Sequence, residues 1–147
     1  NKLKAVDPDF NFTTDVIVGF PGETDEEFSD TVSLVKDAGF SHIHTFRYSP
    51  RPGTEAALMN DAVPEIIKTE RSKEIINLYM RQKESFYSRF SGRSGTFLSE
   101  KFRSGVTTGF NEHYIPVEIS EKLPRNEFFN IRTEYSPGSY KLKGFIE

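Results

Sequence analysis

The chain has 147 residues, enough for one ordinary domain or two small ones with a real core. With 35% hydrophobic and 28% charged residues it reads as a folded globular protein, not a disordered one. Cysteine is absent, which excludes disulfides, thiolate catalysis and cysteine-ligated metal within the chain. No apolar run approaches the ~18 residues a membrane span needs, so no membrane partner is expected.

The net charge of −3 is unevenly spread. Residues 1–63 carry five Lys/Arg against eleven Asp/Glu, residues 64–91 six against four, and residues 92–147 eight against seven. The acidic front is a poor nucleic-acid surface, because phosphate binding needs local positive charge. RNA binding by the near-neutral back would depend on a local patch. The opening Asn1-Lys2-Leu3, without a methionine, reads as part of something longer.

In chain order, residues 2–6 suggest the tail of a helix and Asp7-Pro8-Asp9 a turn. Residues 10–18 form the first predicted strand, ending in the apolar run Val16-Ile17-Val18. Gly19 breaks it, and Pro21-Gly22 turns the chain into a helix over 24–38. Thr24 with Glu27 three residues on fits a capping box, and Asp25, Glu26 and Glu27 suit the positive end of the helix dipole. Phe28, Val32 and Val35 recur at helical spacing, and Gly39 stops the helix as a left-handed cap. Residues 43–48 form a second strand, parallel to the first by the rule for strand–helix–strand crossovers. Ser49-Pro50-Arg51-Pro52-Gly53-Thr54 follows as a stiff loop. Both strand exits then fall on one rim, where ligands bind in parallel α/β folds.

One long helix is predicted from residue 64 to about 90, its apolar stripe being Ile67, Ile75, Leu78, Tyr79, Phe86 and Phe90. Lys68, Lys73, Arg81, Lys83 and Arg89 are assigned to the other faces. Gly92 ends the helix, and the periodicity then changes from about 3.6 to 2. Five short strands, over 96–100, 106–110, 114–119, 128–134 and 140–146, suggest a small antiparallel barrel. Pro116 would sit at an edge or bulge.

Residues 19–24 can cradle a ligand, since glycines allow close backbone approach and a helix amino end is electropositive. They read equally well as a tight turn with no ligand. Arg51 is a potential clamp for carboxylate or phosphate, or more plainly a solvated side chain on a stiff connector. His42 and His44 share a strand face, but nothing supplies a third metal ligand. In the barrel, Asn111-Glu112-His113-Tyr114 offers a ring with polar neighbours. Lys101, Arg103, Lys141 and Lys143 add charge, the combination by which small barrels hold single-stranded nucleic acid. Ordinary barrel packing explains the same residues.

Two motifs in order carry a family resemblance. Thr14-Asp15-Val16-Ile17-Val18-Gly19-Phe20-Pro21-Gly22-Glu23-Thr24 is the first. Phe46-Arg47-Tyr48-Ser49-Pro50-Arg51-Pro52-Gly53-Thr54, with Ala56-Ala57 and Met59, is the second. Together they resemble the radical S-adenosylmethionine (SAM) methylthiotransferases. Thr108-Gly109-Phe110-Asn111-Glu112-His113-Tyr114-Ile115-Pro116-Val117 is similar to the TRAM domain of the threonylcarbamoyladenosine tRNA subgroup.

The resemblance implies an α/β plus all-β chain. Residues 1–91 would be the carboxyl-terminal part of a partial TIM-type (radical SAM) barrel, two strand–helix units of it. Residues 92–147 would be a five-stranded antiparallel TRAM barrel that contacts RNA. The implied function is part of an enzyme that adds a methylthio group to a modified adenosine beside the tRNA anticodon. Its implied cofactors are SAM and two 4Fe-4S clusters, whose cysteines have no counterpart here. The fragment alone is therefore expected to be inactive and to hold neither. Ile17 and Gly19 match the positions that flank the adenine of SAM. The family's first glycine is replaced by an aspartate, and Glu23 stands one position later than the family's glutamate.

With the loop readings, the candidate cofactor-binding residues are Ile17, Gly19, Phe20, Pro21, Gly22, Phe46, Tyr48 and Arg51. The candidate RNA-binding residues are Lys101, Arg103, Asn111, Tyr114 and Lys141, with no catalytic or metal residue assigned. Two alternatives stand beside this reading: a stand-alone RNA-binding accessory module with a non-catalytic α/β scaffold, and an α/β enzyme for a phosphate ligand. Two parallel strands cannot close a barrel, so an open strand edge is expected to drive self-association. Light scattering at tens of micromolar is expected to show species larger than a monomer, and a monodisperse monomer would contradict this.

Overall fold

A computed structural model describes residues 2–60 and 62–147. The chain divides into two compact units, residues 12–83 and residues 2–11 with 84–147. The long helix α3 (Glu65–Ser88) contributes residues to both.

The first unit is a strand–helix–strand unit plus most of α3. Strand β1 (Thr13–Val18) pairs in parallel with β2 (His42–Arg47), in the register Ile17↔Phe46 and Val18↔Arg47. The strand predicted over 10–18 begins three residues later than expected, at Thr13. Asn11, just before it, belongs to the other unit and donates its side-chain amide to the His113 carbonyl at 2.7 Å.

Helix α2 (Asp25–Ala38) starts on the expected capping box. The Glu27 N–H donates to the Thr24 hydroxyl at 3.2 Å, and Glu27 returns the bond to the Thr24 N–H at 2.9 Å. Gly39 ends the helix with φ +66°. The strands alternate, so Val18 and Ile43 meet Phe28, Val32, Val35, Ile75 and Leu78 in one core. The opposite sheet face is open: Ile17 and Phe46, which are cross-strand partners, are each about half exposed. Among the described residues neither strand has a second strand neighbour.

In the second unit β3 (Ser94–Arg103), β4 (Val106–Asn111), β5 (Pro116–Ile119), β6 (Phe128–Glu134) and β7 (Leu142–Ile146) close a barrel in the order β3-β4-β5-β7-β6. The all-antiparallel expectation is corrected here. β5 and β7 run parallel through Val117↔Leu142 and Glu118↔Lys143. The reason is parity: strand directions cannot alternate around a closed ring of five, so at least one neighbouring pair must be parallel.

β3 is long enough to pair with β6 through its first half and β4 through its second, and a bulge between Ser99 and Lys101 bends it at the change of partner. Gly109 opposes that bend. A Cβ there would stand 1.9 Å from the Leu98 carbonyl oxygen, so only glycine lets the strands approach this closely. Phe97, Ile115, Val117, Ile119, Ile131 and Leu142 fill the interior and join Phe86, Tyr87 and Phe90 in one core. Closure leaves no edge for Pro116 to occupy, and it stands instead as the first residue of β5, a position that tolerates its missing N–H.

Candidate functional site

In the α/β unit, the site is built where β1 and β2 end. The strands are in register, so their exits are adjacent: the Tyr48 N–H donates to the Val18 carbonyl at 2.9 Å, one step past the sheet. The rings of Phe20 and Tyr48 then meet edge to face at 5.2 Å. The two motifs are therefore neighbours on one rim.

The loop between β1 and α2 is tightly specified. Glu23 N–H bonds back to the Phe20 carbonyl at 2.9 Å, with Pro21 second and Gly22 (φ +84°) third, the pattern of a type II turn. Gly19 has φ +70°, and a Cβ on it would fall 2.3 Å from Lys68 Cγ. It is needed twice, for its backbone conformation and for the space the lysine stem occupies.

Glu23 locks the turn from within. Its carboxylate accepts the Gly19 N–H at 2.6 Å and pairs with Arg71 Nη1 at 2.6 Å. Arg71 also donates to the Glu23 carbonyl at 3.1 Å and to Asp25 at 2.6 Å. Burial opposes the guanidinium charge, but the hydrogen bonds to Asp25 and Glu23 outweigh it and hold Arg71 above its ordinary pKa. Lys68 donates to the Tyr48 carbonyl at 3.2 Å and to Glu65 at 2.8 Å, and so clasps the second strand exit.

Two basic residues of α3 thus hold the two exits together. The expectation that Lys68 and Lys83 lie on the other faces, away from the apolar stripe, is corrected: both are buried, as is Arg71. The signal was present. Positions 68, 71, 75 and 78 are spaced three, four and three apart and lie on the same stripe as Ile75 and Leu78, so their stems pack while their heads reach polar groups.

Of the predicted cofactor-side residues, Ile17 and Phe46 face the open side as cross-strand partners, with Gly19, Phe20 and Tyr48 at the rim above them. Pro21 is buried and Gly22 exposed within the turn. Arg51 is exposed on the next loop, where its carbonyl accepts from the Thr54 hydroxyl at 2.8 Å. The Tyr48 hydroxyl is buried with no hydrogen-bond partner.

The rings of His42 and His44 stand 4.5 Å apart, and burial, then the neighbouring His44, holds His42 below its ordinary pKa. Among the described residues no three potential ligands cluster in a way that could hold a metal.

On the barrel, Lys101 and Arg103 are exposed on β3. Tyr114 is exposed and stacks on Phe110 at 5.2 Å. Asn111 is buried, and its amide oxygen accepts the His113 N–H at 3.0 Å and the Ile115 N–H at 2.9 Å. Lys141 is ion-paired with Glu118. Lys101, Arg103 and Tyr114 therefore present groups outward, whereas Asn111 shapes the loop and Lys141 is partly neutralised.

No helix among the described residues is long and apolar enough to cross a membrane. No family model matches the chain. Over 136 residues, 91% of the chain and 31% of the relative, it is 40% identical to the threonylcarbamoyladenosine tRNA methylthiotransferase MtaB of Thermotoga maritima. Over 147 residues, 99% of the chain and 32% of the relative, it is 35% identical to the tRNA-2-methylthio-N(6)-dimethylallyladenosine synthase of Bartonella quintana. The chain thus spans about a third of the length of the curated relatives it matches.

The Glu23 clamp makes a direct prediction. Glu23→Ala strands the Arg71 charge and the Gly19 N–H, and is expected to cost about 3 kcal/mol in urea unfolding, with Glu23→Gln milder because its amide oxygen still accepts. A cost below ~0.5 kcal/mol for the alanine variant would contradict the assignment.

Proposed function

Since the chain matches a carboxyl-terminal portion of the methylthiotransferases, we propose that it supplies part of the SAM pocket and the RNA-binding module of a tRNA methylthiotransferase. The observation that carries this is the common rim: two motif-bearing strand exits, joined through Phe20 and Tyr48 and clasped by Lys68 and Arg71.

The residues at the rim fit a nucleoside. Ile17 and Phe46 offer an apolar wall for a flat base, with the exposed Phe20 ring at the rim above them. The turn holds these groups in place before any ligand arrives, which lowers the ordering cost of binding. Arg51 lies beyond the second exit, where it would reach a carboxylate. When bound, SAM would supply the methyl group and, after one-electron reductive cleavage, the radical. The 4Fe-4S clusters do not fit this chain, which has no cysteine to ligate them.

On this reading residues 1–91 derive from a partial TIM-type barrel and residues 92–147 from a TRAM barrel in which Lys101 and Arg103 meet tRNA phosphates. The substrate is a modified adenosine beside the anticodon, of the threonylcarbamoyl type suggested by residues 108–117. The parent enzyme acts in the cytoplasm, and an isolated fragment self-associates through its open sheet.

In the full-length enzyme, Ile17→Asp and Phe46→Ala are expected to weaken SAM binding about tenfold or more by calorimetry, each removing apolar contact with the base. Affinity unchanged in both would overturn the pocket.

A further inference from the structure

The barrel carries a row of apolar side chains that the barrel core does not use. Pairing places Phe128 of β6 opposite Leu98 of β3, Leu98 opposite Phe110 of β4, and Phe110 opposite Pro116 of β5. The row runs across four neighbouring strands on the outer face, because the adjacent Phe97 and Val117 point inward and are fully buried. Phe128 is 73% exposed, and Tyr114, stacked on Phe110, is 77% exposed.

Tyr114 is held there at a cost. Its φ of +59° is a left-handed conformation that a bulky residue rarely adopts. Asn111 enforces it: the Asn111 side chain takes the N–H groups on either side of Tyr114, and the Asn111 carbonyl takes the Tyr114 N–H at 2.9 Å. What the fold gains from it is one stack on Phe110, with most of the ring left in water.

Two residues along the strands, the same face carries Lys101 opposite Thr108, and Lys143 opposite Glu118. Lys143 also faces Glu134 of β6, and Glu118 is taken by Lys141, so Lys101, opposite Thr108, is the cation of this row with no carboxylate across from it.

We propose that the Phe128–Leu98–Phe110 row, extended by Tyr114, is a stacking platform for unpaired bases of single-stranded RNA, with Lys101 beside it for the phosphates. This rests on the reading of the barrel as an RNA-binding module and assigns the mode of binding. Rings take bases of any identity, and Lys101 offers the backbone a charged contact. Glu100, beside the rings, suits the amino edge of a base and not a phosphate. A duplex hides its base faces and gains nothing from such rings.

The test titrates the 147-residue chain against a fluorescein-labelled 12-nucleotide RNA without self-complementarity and against a 12-base-pair RNA duplex, at several salt concentrations. Single-stranded RNA is expected to bind more tightly than the duplex. Phe128→Ala and Tyr114→Ala are each expected to weaken it about tenfold with the salt slope unchanged. Phe128→Trp is expected to restore affinity, and Lys101→Ala to flatten the slope by about one unit. Because both rings are exposed, the variants should keep the wild-type melting temperature.

Salt-dependent binding that ignores both rings would overturn the platform and leave the RNA-module reading standing. No binding to either RNA overturns both. Loss of self-association in Phe128→Ala, with RNA binding intact, would make the row a protein interface and likewise overturn the proposal.

Discussion

The Glu23 carboxylate is the interaction on which the α/β unit's candidate site depends. It sits almost out of water, where an unpaired charge would be costly, and both of its obligations are local: the N–H of Gly19 and the guanidinium of Arg71. By meeting them it fixes how the chain leaves β1, where α2 begins and how α3 lies against both. A polar cluster of this kind contributes little net stability compared with an apolar core, but it tolerates few alternative arrangements. The rim is consequently rigid, as a preorganised binding wall must be.

The barrel uses a different constraint. Five strands closed in a ring cannot alternate in direction, and the parallel β5–β7 pair follows from that count. Closure removes the edges that would invite aggregation and frees the outer face for recognition. Where the chain must turn sharply on that face, Asn111 accepts backbone donors so that Tyr114 can remain in a strained conformation. In both units, then, a buried polar side chain holds the backbone around an outward-facing ring: Glu23 beside Phe20, and Asn111 beside Tyr114.

Much of this was legible in the sequence, because local rules are written in neighbouring residues. Thr24, Glu27 and Gly39 marked both ends of α2, alternation marked the barrel strands, and the strand–helix–strand order put the two motifs on one rim. What escaped was long-range. Lys68 was placed off the apolar stripe because charge is usually solvated, although its spacing from Ile75 and Leu78 put it on that stripe, and Arg71 on the same stripe was passed over. Asn111 was read as a ligand contact because its type suggests one, while its actual partners are two backbone N–H groups a few residues away. The parallel barrel pair was available from counting strands and was hidden by the habit of reading hairpins one at a time. The identity to methylthiotransferases supports the motif reading and leaves the residue roles to experiment.

The account's central claim is that this chain serves a methylthio transfer to tRNA. Mass spectrometry of nucleosides from total tRNA, before and after deletion of the gene that encodes the chain, tests it most directly. The account predicts that one 2-methylthio-adenosine derivative disappears while its unmethylthiolated precursor accumulates. A nucleoside profile unchanged by the deletion would contradict it.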